Sequence, residues 1–227
     1  MKTVSSLFVV FATLCALALT NGASAASYSA PLSPADSAAS ATAPDSPALG
    51  NRLALRDLWQ EHIFWIRDYV QANQSGNKAQ ANIAADQVVA NATRIASAIA
   101  PLYGQPAADQ LLKLLAGHWG AVKHYSDATV AKDDGGRKAA VSELTGNAAA
   151  IAKFLASANP NLPEQDLVAM LGTHGAQHIA QIDQLAAHDY AGEAQTWHGM
   201  RQHMQMLADA LSAALVKQFP DKFHAAG

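Results

Sequence analysis

Apolar residues recur along this chain at helical spacing. Leu55, Leu58, Trp59, His62, Trp65, Ile66 and Tyr69 stand at i, i+3, i+4 and i+7 offsets and so share one face of an α-helix. The alternation that marks a half-buried strand does not occur. Breakers divide the pattern into six helices: Gln74-Ser75-Gly76-Asn77, Pro101 to Pro106, Asp133 to Gly136, Asn159 to Pro163 and Ala191-Gly192, with Phe219-Pro220 ending the sixth. The expected fold is all-α, a bundle of about six helices over residues 51–220, followed by a short tail at 221–227.

The pattern also repeats. Shifted by 56 residues without gaps, the chain superimposes Leu55, Leu111 and Leu167; Trp59, Leu115 and Leu171; and His62, His118 and His174. In the partner helices Asn91, Asn147 and His203 coincide, as do Ile95, Ile151 and Leu207. Agreement of apolar, small and polar positions in one register is the signature of a structural repeat. We read three diverged αα-hairpins, approximately 50–105, 106–161 and 162–217.

Composition changes the picture at the N-terminus. Lys2, an apolar run from Leu7 to Leu19 and Ala23-Ser24-Ala25 form a cleavable signal peptide over residues 1–25. The apolar run, about 13 residues, is too short for a transmembrane helix. Residues 26–50 are Ala, Ser, Pro and Asp with almost nothing to bury, a disordered linker. The mature protein is therefore expected to be soluble, periplasmic or secreted, without a stable membrane anchor. The only cysteine, Cys15, falls in the leader, which removes thiolate ligands and disulfides. Loss of Lys2 leaves 14 basic against 18 acidic residues, a net charge of −4 and no basic cluster for a nucleic acid to find.

The candidate chemistry is histidine. First, third and fifth helices of an antiparallel array run the same way, so His62, His118 and His174 lie at one height and face inward among apolar neighbours. His178, one turn after His174, occupies a position that reads Ile66 and Val122 in the other units and also faces inward. Inward imidazoles need partners for their ring nitrogens. A transition-metal ion, Zn or Cu, satisfies them, with His62, His118, His174, His178 and His203 as candidate ligands. Asn91, Asn147, the Glu61 carboxylate and Arg67 are candidate outer partners, Arg67 as an anion clamp. Met170, Met200, Met204 and Met206 all fall in the third unit and speak for copper, although methionine is also a common filler of core gaps. The alternatives are a structural layer of histidine and asparagine that only sets helix register in a non-catalytic envelope module, and an organic ligand or haem.

No HExxH, no Glu-x-x-His pair, no nucleophile elbow and no phosphate-binding loop occurs. Enzyme chemistry has no anchor beyond Glu61 as a base.

Leu58-Trp59-Gln60-Glu61-His62-Ile63-Phe64-Trp65, Pro101-Leu102-Tyr103-Gly104, Asn159-Pro160-Asn161 and Lys217-Gln218-Phe219-Pro220-Asp221-Lys222-Phe223 together resemble a family of bacterial exported helical-bundle proteins of undetermined function. The resemblance spans nearly the whole mature domain. It implies a bacterial source, a Trp-x-x-His-x-x-Trp start, and site positions at His62, His118, His174, His203, Asn91 and Asn147. A small polar residue is the expectation at His178, so the resemblance gives that histidine no central part.

Overall fold

The computed structural model describes residues 46–223. The expected signal peptide, most of the expected linker, His224 and the last residues of the tail lie outside them. The described chain is α-helical: α1 (Pro47–Gln74), α2 (Lys78–Tyr103), α3 (Gln105–Ala131), α4 (Asp134–Ala158), α5 (Glu164–Ala186), α6 (Tyr190–Gln218) and α7 (Pro220–Phe223). None of these helices is long and apolar enough to cross a membrane.

Local chemistry sets the boundaries. Ser46 caps α1, its Oγ accepting from the Leu49 N–H at 3.2 Å, with Pro47 at the first helical position. The linker therefore ends earlier than composition suggests, because residues 47–50 are the first turn of α1. Asn77, Asp133 and Asp189 cap α2, α4 and α6 in the same way. Each is preceded by a residue in the left-handed region: Gly76 at φ 73, Lys132 at φ 56 and His188 at φ 57. Pro101 does not end α2. A proline there forfeits one backbone hydrogen bond, and the helix runs on to Tyr103 before Gly104, at φ 85, turns the chain. Gly135, Gly136 and Gly192 likewise sit inside first turns and not between helices.

Packing follows chain order and then closes. Each helix from α1 to α6 lies against the next, and α6 returns to α1. The odd-numbered helices α1, α3 and α5 also touch one another and form the inner triad. Arg52 and Arg56 of α1 both grip the Asp209 carboxylate of α6, and Asn51 donates to Ser212 Oγ at 2.8 Å, which ties the closing pair. The segment after Pro220 is not a free tail: α7 packs on α1 and α6, with Phe219 and Phe223 against the core.

The core has two apolar blocks. One holds Leu55, Trp59, Leu111, Leu115, Leu167, Leu171 and their partners on α2, α4 and α6. The other holds Ile66, Tyr69, Trp119, Val122, Tyr125, Ile182 and Leu185. On every inner helix the histidine stands between the two.

Candidate metal centre

Hydrogen bonds recur at equivalent places around the bundle. Asn91 Nδ2 donates to Leu58 O at 3.0 Å, Asn147 Nδ2 to Leu114 O at 2.9 Å, and His203 Nε2 lies 2.8 Å from Met170 O. A backbone carbonyl only accepts, so the His203 ring carries its proton on Nε2. Tyr69 OH donates to Asp127 at 2.8 Å and Tyr125 OH to Asp183 at 3.1 Å. These bonds link helices pairwise and hold the inner triad at a common height.

At that height four histidines meet. His62 from α1, His118 from α3, and His174 and His178 from α5 each offer a ring nitrogen within 4.8 Å of all the others, and all four are buried. His118 and His174 stack at 5.4 Å between ring centroids, and His62 is 5.7 and 5.8 Å from them. His178 Nε2 lies 3.1 Å from His174 Nε2, so one of this pair donates and the other accepts. Both nitrogens of His62, Nε2 of His118, and Nδ1 of His174 and of His178 are buried with no hydrogen-bond partner among the described residues. Such a group can hold a metal ion: nitrogens in a tetrahedron with bonds of about 2.1 Å stand roughly 3.4 Å apart, and these lie within 4.8 Å of one another.

Burial keeps the cluster neutral. It pushes His62 down to about 3, with a further push from His118, and His118 down to about 4. His174 and His178 are also held well below the usual imidazole value, by burial first and by neighbouring histidines second. Neutral imidazole is the ligating form, so metal displaces no charge-bearing proton here.

The expected ligands are brought together with one exception. His203 stands apart from the quartet with its Nε2 committed to Met170 O, doing the work that Asn91 and Asn147 do in the other hairpins. His178, to which the family resemblance gives no central part, is in the quartet. Glu61 turns outward and accepts from Arg94, Trp65 and Asn91. Arg67 is not open to an anion: it chelates the buried Glu193 through two bonds of 2.6 and 2.8 Å and lies over Trp197. Gln181 adds a third bond to Glu193, a partner that sequence reasoning missed. Among the aromatic side chains near His62 in sequence, Trp59 meets it edge-on at 5.6 Å, Phe64 is half exposed against Trp65, and Tyr69 packs on Trp119. Met200 and Met204 are core residues and Met206 is exposed.

The quartet also borders a cavity of about 70 Å³. His62, His118 and His174 form one end, the walls are leucine and isoleucine, and Tyr103, Ala158 and Asn159 stand at the other end.

Comparison of the chain with protein-family models, with curated proteins and with solved structures finds no match.

Proposed function

We propose that this chain is an exported metal-binding protein that holds one transition-metal ion, copper or zinc, at His62, His118, His174 and His178. The observation that carries the reading is the convergence of four buried histidines, each offering one ring nitrogen within 4.8 Å of the others. The register-setting role belongs instead to Asn91, Asn147 and His203, each of which secures a backbone carbonyl of its inner helix. That favours two layers with two jobs over the alternative in which the whole histidine and asparagine layer is only structural.

Charge decides between the ions. Four neutral imidazoles leave the full charge of the ion unneutralised in an apolar interior, and beyond burial the groups that shift these histidines are other histidines, with no carboxylate among them. The cost of burying an ion rises with the square of its charge, so a divalent ion costs roughly four times as much as a monovalent one. Cu(I) is therefore favoured over Zn(II), on different grounds from the methionines of the third unit.

The architecture around the site is read as three diverged 56-residue hairpins. The recurring hydrogen bonds and the equivalent turns at Gly76, Lys132 and His188 support this. Export rests on the leader sequence, and a place in the bacterial exported helical-bundle family rests on the resemblance.

The test is elemental analysis by mass spectrometry of protein purified without a histidine tag, beside a His62→Ala/His118→Ala variant. The expected result is close to one copper or zinc per chain, absent from the variant. Metal-free protein, even after incubation with Cu(I) and Zn(II), overturns the reading.

A further inference from the structure

The four rings of the quartet are shut away: His62, His118, His174 and His178 are 2%, 6%, 2% and 1% exposed. Four imidazoles fill a tetrahedron, so an ion held by them has no open position through which an incoming ligand can draw it off. Loading and release therefore wait for the bundle to part. Covalent structure narrows where it can do so. From α1 to α6 each helix is tied to the next by a short connection, the longest being 159–163. α6 and α1 are neighbours with no connection, the two ends of the ring. At that seam alone two adjacent helices of the ring separate without pulling on a turn.

The same seam leads to the histidines. α6 packs across both α5 and α1, and within the inner triad the contact between α1 and α5 is the slightest, so α6 is the chief cover over the gap between His62 on one side and His174 and His178 on the other. α6 is fastened to α5 by the turn at 187–189, by His203 on Met170 O and by Gln181 on Glu193. Its hold on α1 has no turn behind it. Apart from apolar packing and the buried Arg67 and Glu193 pair, that hold consists of Asn51 on Ser212, Gln60 with Arg201, and the two arginines on Asp209. Arg52 and Arg56 keep 47% and 33% of their side chains in solvent, and ion pairs so exposed hold weakly.

We infer that the seam between α1 and α6 is the gate of the metal centre: the ion enters and leaves where these helices part, α6 stays on α5, and Asp209, which gathers both arginines, is the latch. The inference rests on the metal reading above and deepens it.

The test is transfer of Cu(I) from the loaded protein to an excess of a colour-forming Cu(I) chelator, timed by absorbance, with copper content measured at the start. A closed site makes the rate level off as chelator is raised, at the rate of opening. Asp209→Asn, which frees both arginines and adds no bulk, should raise that level about three- to tenfold. Asn147→Ala, which weakens the bundle away from the seam, should leave it within about twofold. A short bismaleimide across Gln60→Cys/Arg201→Cys, made with Cys15→Ser so that no other thiol is present, should lower it at least about tenfold relative to the unbridged pair. The bridged comparison stands where Asp209→Asn does not fold. A rate that rises in proportion to chelator without levelling, bridged protein that releases as fast as unbridged, or equal acceleration by Asp209→Asn and Asn147→Ala overturns the gate and leaves the metal site standing. Failure to retain copper at all overturns the metal reading, and the gate falls with it.

Discussion

Asn147 and His203 perform one task with different groups: an amide Nδ2 in one hairpin and an imidazole Nε2 in the next donate to the carbonyl of a residue 33 positions earlier. Asn147→Ala leaves Leu114 O without that donor and is expected to cost about 1–3 kcal/mol, read as a lower denaturant midpoint with unchanged metal content. His203→Asn restores the residue of the other two hairpins and should keep both stability and metal. Loss of the ion in that variant would make His203 a ligand after all. The register of the sequence already grouped His203 with Asn91 and Asn147, and that grouping was the legible signal for its role. What no sequence pattern could contain is which ring nitrogens find a partner. That depends on side chains from three inner helices meeting at one level, and this meeting is the feature on which the metal reading stands.

At the scale of elements, three turns share one geometry. The three hairpin turns place residues 76, 132 and 188 in the left-handed region, and glycine occupies only the first. A non-glycine residue there costs about 1–2 kcal/mol through the contact between its Cβ and the following carbonyl. Lys132→Gly removes that cost but adds freedom to the unfolded chain, for an expected net gain of about 0.5–1 kcal/mol. In a domain of this size the gain amounts to a rise of a few degrees in Tm, measurable by calorimetry. An unchanged or lower Tm would show that the turn is not strained by its side chain. Glycine and proline marked the neighbourhood of every turn correctly in the sequence, while helix ends were displaced by a few residues at Pro101, Gly135-Gly136 and Gly192. The reason is that a helix begins where a side chain can take the first free N–H groups. Asp133 and Asp189 do so from positions just ahead of the glycines, which then fall within the first turn.

The described bundle is two apolar blocks joined across a polar layer, and the layer makes its stability depend on acid. The inward histidines were legible from periodicity, but their neutrality follows from the closing of six helices around them, which no local pattern states. In the unfolded chain each imidazole titrates near 6.5, whereas His62 and His118 are held at about 3 and about 4 in the fold, and His174 and His178 move the same way. A depressed histidine contributes fully above its unfolded value and loses that contribution as pH falls toward the folded one, because the unfolded chain takes up the proton. Once the unfolded imidazoles are charged, each such histidine removes about 1.4 kcal/mol per pH unit. At pH 5 the loss is roughly 2 kcal/mol apiece for His62 and His118, against a total stability on the order of 5–15 kcal/mol for an ordinary domain, and His174 and His178 add to it. Chelator-treated protein is therefore expected to show a urea midpoint that is level above pH 7 and falls steeply between pH 6 and pH 5. His62→Gln/His118→Gln should lessen the steepness. A midpoint constant down to pH 5 would mean that the four rings titrate in the fold as they do in the unfolded chain, and neither the neutral quartet nor the metal centre built on it would survive that result.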